Sequence, residues 1–67
     1  MGYNLKAYFI DRINKHYNTI TSTSDPQELI RVRNRFLEVV KIGMDLGIVA
    51  DDDLLEYDDA EIFRDAN

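Results

Sequence analysis

The sequence predicts an all-α fold: an antiparallel helical hairpin followed by a short acidic C-terminal helix, packed as a small three-helix bundle. Apolar residues recur at intervals of three and four over residues 4–17 and 26–46, which is typical of amphipathic helices. The polar stretch 18–24 between them is short enough to make the two helices antiparallel neighbours. An acidic stretch with a few apolar residues, at about 52–65, predicts the third helical segment, either as one amphipathic helix or as two short helices with a break near residues 57–59.

The first helix is expected from Asn4 to Tyr17, with Asn4 as its N-cap because the amide oxygen can accept from a free backbone N–H group. Its apolar side repeats every four residues, at Leu5, Phe9, Ile13 and Tyr17. Residues 18–24 are expected to form a loop, because β-branched and hydroxyl residues disfavour helix and a clear helix start follows. Ile20 is expected to close the end of the core.

The central helix has signals at both ends. Asp25 is a favoured N-cap, Pro26 occupies the first helical position, and Glu28 has the spacing of a capping box. Gly47 can adopt the left-handed conformation that ends a helix, and Ile48 can then fold back onto the last turn. The sequence therefore predicts a helix over about 26–46.

Two neighbouring apolar stripes run along this helix. The first contains Leu29, Val32, Phe36, Val39, Gly43 and Leu46, and the second contains Ile30, Leu37, Val40, Met44 and Gly47 with Arg33 as an interruption. Together they form a face wider than one neighbouring helix needs, and Gly43 is expected to allow a close approach. The remaining face is expected to be solvated and to hold weak ion pairs among Glu28, Arg31, Arg35, Glu38, Lys41 and Asp45.

Length and composition limit the stability and the chemistry of the chain. A single domain of 67 residues buries only about 60% of its unfolded surface, so its stability is marginal. Cys is absent and His occurs once, so no disulfide, zinc site or other cofactor is expected. We therefore expect stabilisation by association, as a homodimer or with a bound partner.

Charge is distributed unevenly along the chain. Residues 1–50 have a net charge of +2, with seven Lys or Arg and five Asp or Glu, whereas residues 51–67 have eight acids, one Arg and a net charge of −7. The longest apolar run, residues 39–50, contains Lys41 and Asp45 and is too short to span a bilayer. A soluble, cytoplasmic protein that does not enter membranes is expected.

The acidic C-terminal stretch is the first candidate binding surface. Its spacing does not match a calcium-binding loop, and no His or Cys accompanies the carboxylates, so an enzyme is not expected. Apolar side chains among acids, including Leu55, suit binding to a basic protein. Such a surface can also imitate the charge spacing of nucleic acid and bind to a DNA-binding protein. The predicted partner-binding residues are Asp52, Asp53, Leu54, Glu56, Tyr57, Asp58, Asp59, Glu61, Ile62 and Phe63. This predicts a small regulator or inhibitor, of a kind that would suit a bacterial or phage accessory protein.

The alternative is a small helical regulator that binds DNA or RNA. Arg31, Arg33 and Arg35 follow a loop on the central helix, and Arg side chains read bases and phosphates. An ordinary solvent-exposed helix face would also contain these arginines. A nearby acidic segment would repel phosphate, so nucleic acid is the less favoured partner. His16 has no second ligand at helical spacing and is interpreted as an ordinary surface histidine.

Overall fold

A computed structural model describes residues 4–65 and shows a small bundle of helices. Helix α1 spans Leu5–Ser22 and helix α2 spans Pro26–Asp45, and these two long helices pack against each other. A single 3-10 turn follows at Asp51–Leu54, and a short helix, α3, spans Asp59–Ile62 and packs on α1. The predicted all-α fold is confirmed. The acidic stretch forms two short helices rather than one continuous helix.

Helix α1 begins as predicted, since the side chain of Asn4 accepts a hydrogen bond from the Ala7 N–H at 3.1 Å. The prediction of a loop over residues 18–22 is wrong, because α1 continues to Ser22. Ile20 is completely buried, and this burial outweighs the weak helix propensity of its neighbours. Hydroxyl groups in this last turn donate back to carbonyl groups, as the Ser22 Oγ does to Asn18 O at 2.8 Å.

Helix α2 has the predicted ends. The Asp25 carboxylate accepts from the Gln27 N–H at 3.1 Å, and Pro26 occupies the first turn. The expected capping box does not form, because Glu28 accepts from the Thr23 hydroxyl instead of from the Asp25 N–H. At the other end Gly47 has φ of 72°, the left-handed conformation that the sequence predicted.

Gly43 permits a close approach inside the bundle, as expected. A Cβ atom at this position would lie 2.7 Å from the Val49 Cγ2 and 3.2 Å from the Phe9 Cδ1. After Gly47 the chain turns back, and the Ile48 and Val49 N–H groups both donate to the Gly43 carbonyl. The close approach therefore places Val49 in the core and directs the chain towards α1.

The core is formed by α1, α2 and the chain that follows them. Leu5 was expected in this core but is 48% exposed, because it lies in the first turn of α1 at the end of the helix pair. Tyr17, Phe36 and Tyr57 form an aromatic cluster with ring centroids 4.9–6.3 Å apart. The buried apolar residues are Ile13, Ile20, Leu29, Val32, Phe36, Val49, Tyr57 and Ile62.

Among the described residues, no helix has the length and apolar character needed to cross a membrane.

Replacing Ile20 by Ala is expected to lower the free energy of unfolding by about 2–5 kcal/mol, because the side chain is completely buried in the last turn of α1. Urea denaturation followed by circular dichroism measures this change. The matched control is Ile42→Ala, which removes the same atoms where the side chain is 45% exposed. Equal losses in the two variants would contradict the placement of Ile20 in the core.

Candidate protein-binding surface

Residues 51–65, named here the acidic segment, lie against the helical pair and are held there by Arg33. The Arg33 Nε donates to the Ile62 carbonyl at 2.7 Å, and its Nη2 donates to the Arg64 carbonyl at 2.6 Å. The Ile62 carbonyl at the C-terminus of α3 has no partner within the helix, and the planar guanidinium group satisfies it together with the Arg64 carbonyl beyond the helix. Arg33 therefore fixes the end of α3 against α2.

Arg64 and Tyr57 attach the acidic segment to α1. The Arg64 Nη2 donates to the Thr23 carbonyl at 2.7 Å, just beyond the end of α1. The Tyr57 hydroxyl donates to the Asn14 Oδ1 at 2.6 Å, and the Asp58 N–H donates to the Tyr17 hydroxyl at 3.1 Å. Burial raises the pKa of the Tyr57 phenol, with a smaller contribution from the Glu56 charge, so this hydroxyl remains a hydrogen-bond donor at neutral pH.

Two of the predicted partner-binding residues belong to the core. Tyr57 is 8% exposed and Ile62 is 3% exposed, so neither side chain is available on the surface. Leu54 is partly buried and packs against the core. The apolar side chains that point outward are those of Leu55, which is 80% exposed, and Phe63, which is 57% exposed.

Two acids of the segment form ion pairs, and a third caps a helix. The Asp53 carboxylate lies 3.2 Å from the Lys6 Nζ and accepts from the Ala50 N–H, and these contacts lower its pKa, the backbone hydrogen bond most strongly. The Glu61 carboxylate lies 3.2 Å from the Arg64 Nη1. Asp58 is the N-cap of α3 and accepts from the Ala60 N–H.

Most acids of the segment form no ion pair within residues 4–65. These are Asp51, Asp52, Glu56, Asp58, Asp59 and Asp65, and all are exposed. Since these carboxylates form no ion pair with the described residues, they give the outer side of the segment a negative potential.

An apolar groove of about 200 Å³ lies between α2 and the acidic segment. Leu37 and Val40 of α2 form one wall, and Phe63 with Leu54 forms the other. Asp59 supplies the charged group of the lining. The sequence did not identify this groove, because its walls lie about 20 residues apart and meet only after the chain has folded back. The second apolar stripe of α2 was the available signal, since it predicted a second neighbour for that helix.

Of the ion pairs predicted on this face of α2, Lys41 and Asp45 form one at 3.1 Å. Arg31 and Arg35 form none with the described residues, so their predicted pairing with Glu28 and Glu38 is wrong. Arg33 binds the acidic segment instead of facing solvent with them. The three arginines of the alternative hypothesis therefore do not form one surface.

A basic face, defined by Arg12, His16, Arg31 and Arg35, lies away from the acidic segment. Successive residues of a helix are about 100° apart, so Arg35 lies about 200° around α2 from Arg33, and Arg12 lies equally far around α1 from Asn14. Burial lowers the pKa of the His16 imidazole, and the charges of Arg12 and Arg35 lower it further. His16 therefore remains largely neutral at pH 7.

Within residues 4–65, no group of three or more His, Cys, Asp or Glu side chains is arranged to hold a metal ion. Compared with models of protein families, with curated proteins and with solved structures, the chain has no significant match.

Replacing Arg33 by Met is expected to release the end of the acidic segment, because it removes both hydrogen bonds to the carbonyl groups of Ile62 and Arg64. Hydrogen bonds from charged donors contribute about 1.5–3 kcal/mol each. Hydrogen–deuterium exchange is expected to speed up at least tenfold over residues 59–65 and to change little in the middle of α1. Arg31→Met is the charge-matched control, and equal exchange in the two variants would contradict the role of Arg33.

Proposed function

We propose that the protein is a non-enzymatic regulator or inhibitor that binds another protein through the outer side of the acidic segment and the groove beside it. The observation that supports this proposal is the exposure of Leu55 and Phe63 on a segment in which six of the eight acids form no ion pair within residues 4–65. Large apolar side chains that remain exposed beside a groove are typical of interaction sites.

The hydrogen bonds of the segment also favour this function. The segment is held against α1 and α2 by five hydrogen bonds that join distant parts of the sequence. A surface that is ordered before binding loses less conformational entropy when the partner arrives. These five hydrogen bonds therefore favour binding by a surface that is rigid before the partner arrives.

A deletion of residues 51–67 would be a poor test, because Tyr57 and Ile62 are part of the core. Substitutions on the outer side separate binding from folding. Exposed positions away from special contacts usually change stability by no more than about 0.5 kcal/mol.

The double variant Leu55→Ser, Phe63→Ser is expected to weaken partner capture at least tenfold, since about 1.4 kcal/mol of lost apolar burial suffices for this change. The measurement is capture by the tagged protein from a nuclease-treated lysate of the source cells, quantified by mass spectrometry. The matched control is Leu5→Ser, Leu46→Ser, which changes two side chains that are 48% and 64% exposed. The proposal fails if both double variants retain the same partner to the same extent.

The second candidate function is nucleic-acid binding by the basic face. It is favoured by one observation: Arg12, Arg31 and Arg35 have no ion pairs with the described residues, so their charges are available to phosphates. Their position away from the acidic segment reduces the repulsion that the sequence had suggested.

Arg35→Glu is expected to weaken binding to a 20-base-pair duplex at least tenfold if this second function holds, with a smaller dependence of affinity on salt. Fluorescence anisotropy at two salt concentrations gives both quantities. Lys41→Glu is the charge-matched control, because Lys41 belongs to α2 but pairs with Asp45 at 3.1 Å. Absence of binding by the unaltered protein at low salt would exclude this function.

A further inference from the structure

We infer that the groove between α2 and the acidic segment takes an apolar side chain presented by a basic amphipathic helix of the partner. This inference rests on the proposed protein-binding function and specifies the chemistry of the partner.

The size of the groove suits one large apolar side chain. Its volume is about 200 Å³, and an apolar cavity of about 150 Å³ is large enough to hold benzene. A Leu or Phe side chain therefore fits between Leu37 and Phe63, whose exposed fractions are 38% and 57%. Burial of these two side chains by a ligand would be favourable at about 25 cal/mol per Å² of apolar surface.

The walls give no hydrogen bonds that would select a polar ligand. The lining side chains other than Asp59 are apolar or aromatic, and the Tyr57 hydroxyl is already bonded to Asn14. The apolar surface also continues beyond the groove, because Ile30 and Met44 lie seven residues on either side of Leu37 and are 46% and 37% exposed. Residues seven apart lie on nearly the same side of a helix, so these three side chains offer a second helix apolar contacts along one side of α2, next to the point where Arg33 holds the end of the acidic segment.

The charge at the edge of the groove selects the partner. Asp59 belongs to the lining, and neither it nor Asp58 beside it forms an ion pair within residues 4–65. A ligand that covers the groove brings its own charges next to these carboxylates. Lys or Arg flanking the apolar side chain would be attracted there, whereas acids would be repelled.

The surface around the groove favours a partner that binds as a helix. Binding as an added strand requires an exposed sheet edge, and the described part of the chain contains helices and turns but no strand. A groove bordered by a long helix suits a ligand whose apolar side chains recur every three to four residues.

The test uses the full chain and a fluorescein-labelled 18-residue peptide of Leu and Lys, with Leu at helical spacing. Two matched peptides have Glu in place of Lys, or the same Leu and Lys in an order that forms no apolar stripe. Fluorescence anisotropy is expected to show that the basic amphipathic peptide binds at least tenfold more tightly than either of the two matched peptides. Equal binding of the Glu peptide or of the reordered peptide would overturn the inference.

Two pairs of variants locate the binding. Phe63→Ser is expected to weaken binding of the basic peptide at least tenfold, whereas Leu46→Ser, at a comparably exposed position outside the groove, leaves it unchanged. Asp59→Asn is expected to weaken it about threefold and to reduce its salt dependence, with Asp11→Asn as the control. Loss of peptide binding in Leu46→Ser would overturn the inference, and so would unchanged peptide binding in Phe63→Ser.

Two further results would show that the groove binds something other than a basic amphipathic helix. Sedimentation showing that the protein alone self-associates through Phe63 would assign the groove to a second copy and overturn the inference. Sensitivity of lysate capture to Leu55 and Phe63, together with failure of the basic peptide to bind, would overturn the partner chemistry and leave the proposed function standing. Insensitivity of capture to both residues would instead defeat the proposed function.

Discussion

The C-terminal end of the acidic segment depends on the two hydrogen bonds that Arg33 donates to it. This residue interrupts an otherwise apolar stripe of α2, where a charge without a partner would be costly. It meets the carbonyl groups at the end of α3, where the negative end of the helix lies and the backbone has no helical partner. The contact thereby gives a partner both to the charge of Arg33 and to the carbonyl groups. It also holds Phe63 opposite Leu37, and the groove lies between these two side chains.

The ends of α2 could be predicted because their signals act within a few residues. Asp25 bonds to Gln27, and Gly47 needs only its own backbone freedom. The end of α1 could not be predicted in this way. Thr and Ser near Ile20 favour a loop when considered locally, and only contact with the rest of the bundle makes burial of Ile20 decisive.

The candidate surface was predictable as a segment but not residue by residue. A few apolar residues among acids do not show which of them face inward, because the segment has no long helical period. Tyr57 donates to Asn14, 43 residues earlier, and the carbonyl group of Ile62 accepts from Arg33, 29 residues earlier. These contacts leave Leu55 and Phe63 outside, so the division between core and surface was decided by distant parts of the chain.

The wide apolar face of α2 now has an explanation within one chain. Helix α1 covers its first stripe except at the exposed Leu46, and the acidic segment covers part of the second, so the width of the face no longer requires a homodimer. The homodimer stays a prediction that rests on the small size of the domain and on the exposed stripe through Leu37. Pairing of this surface with its own copy would bring the carboxylates of two acidic segments together, which opposes association. The charge of the segment therefore favours a different, basic protein over a second copy of the chain.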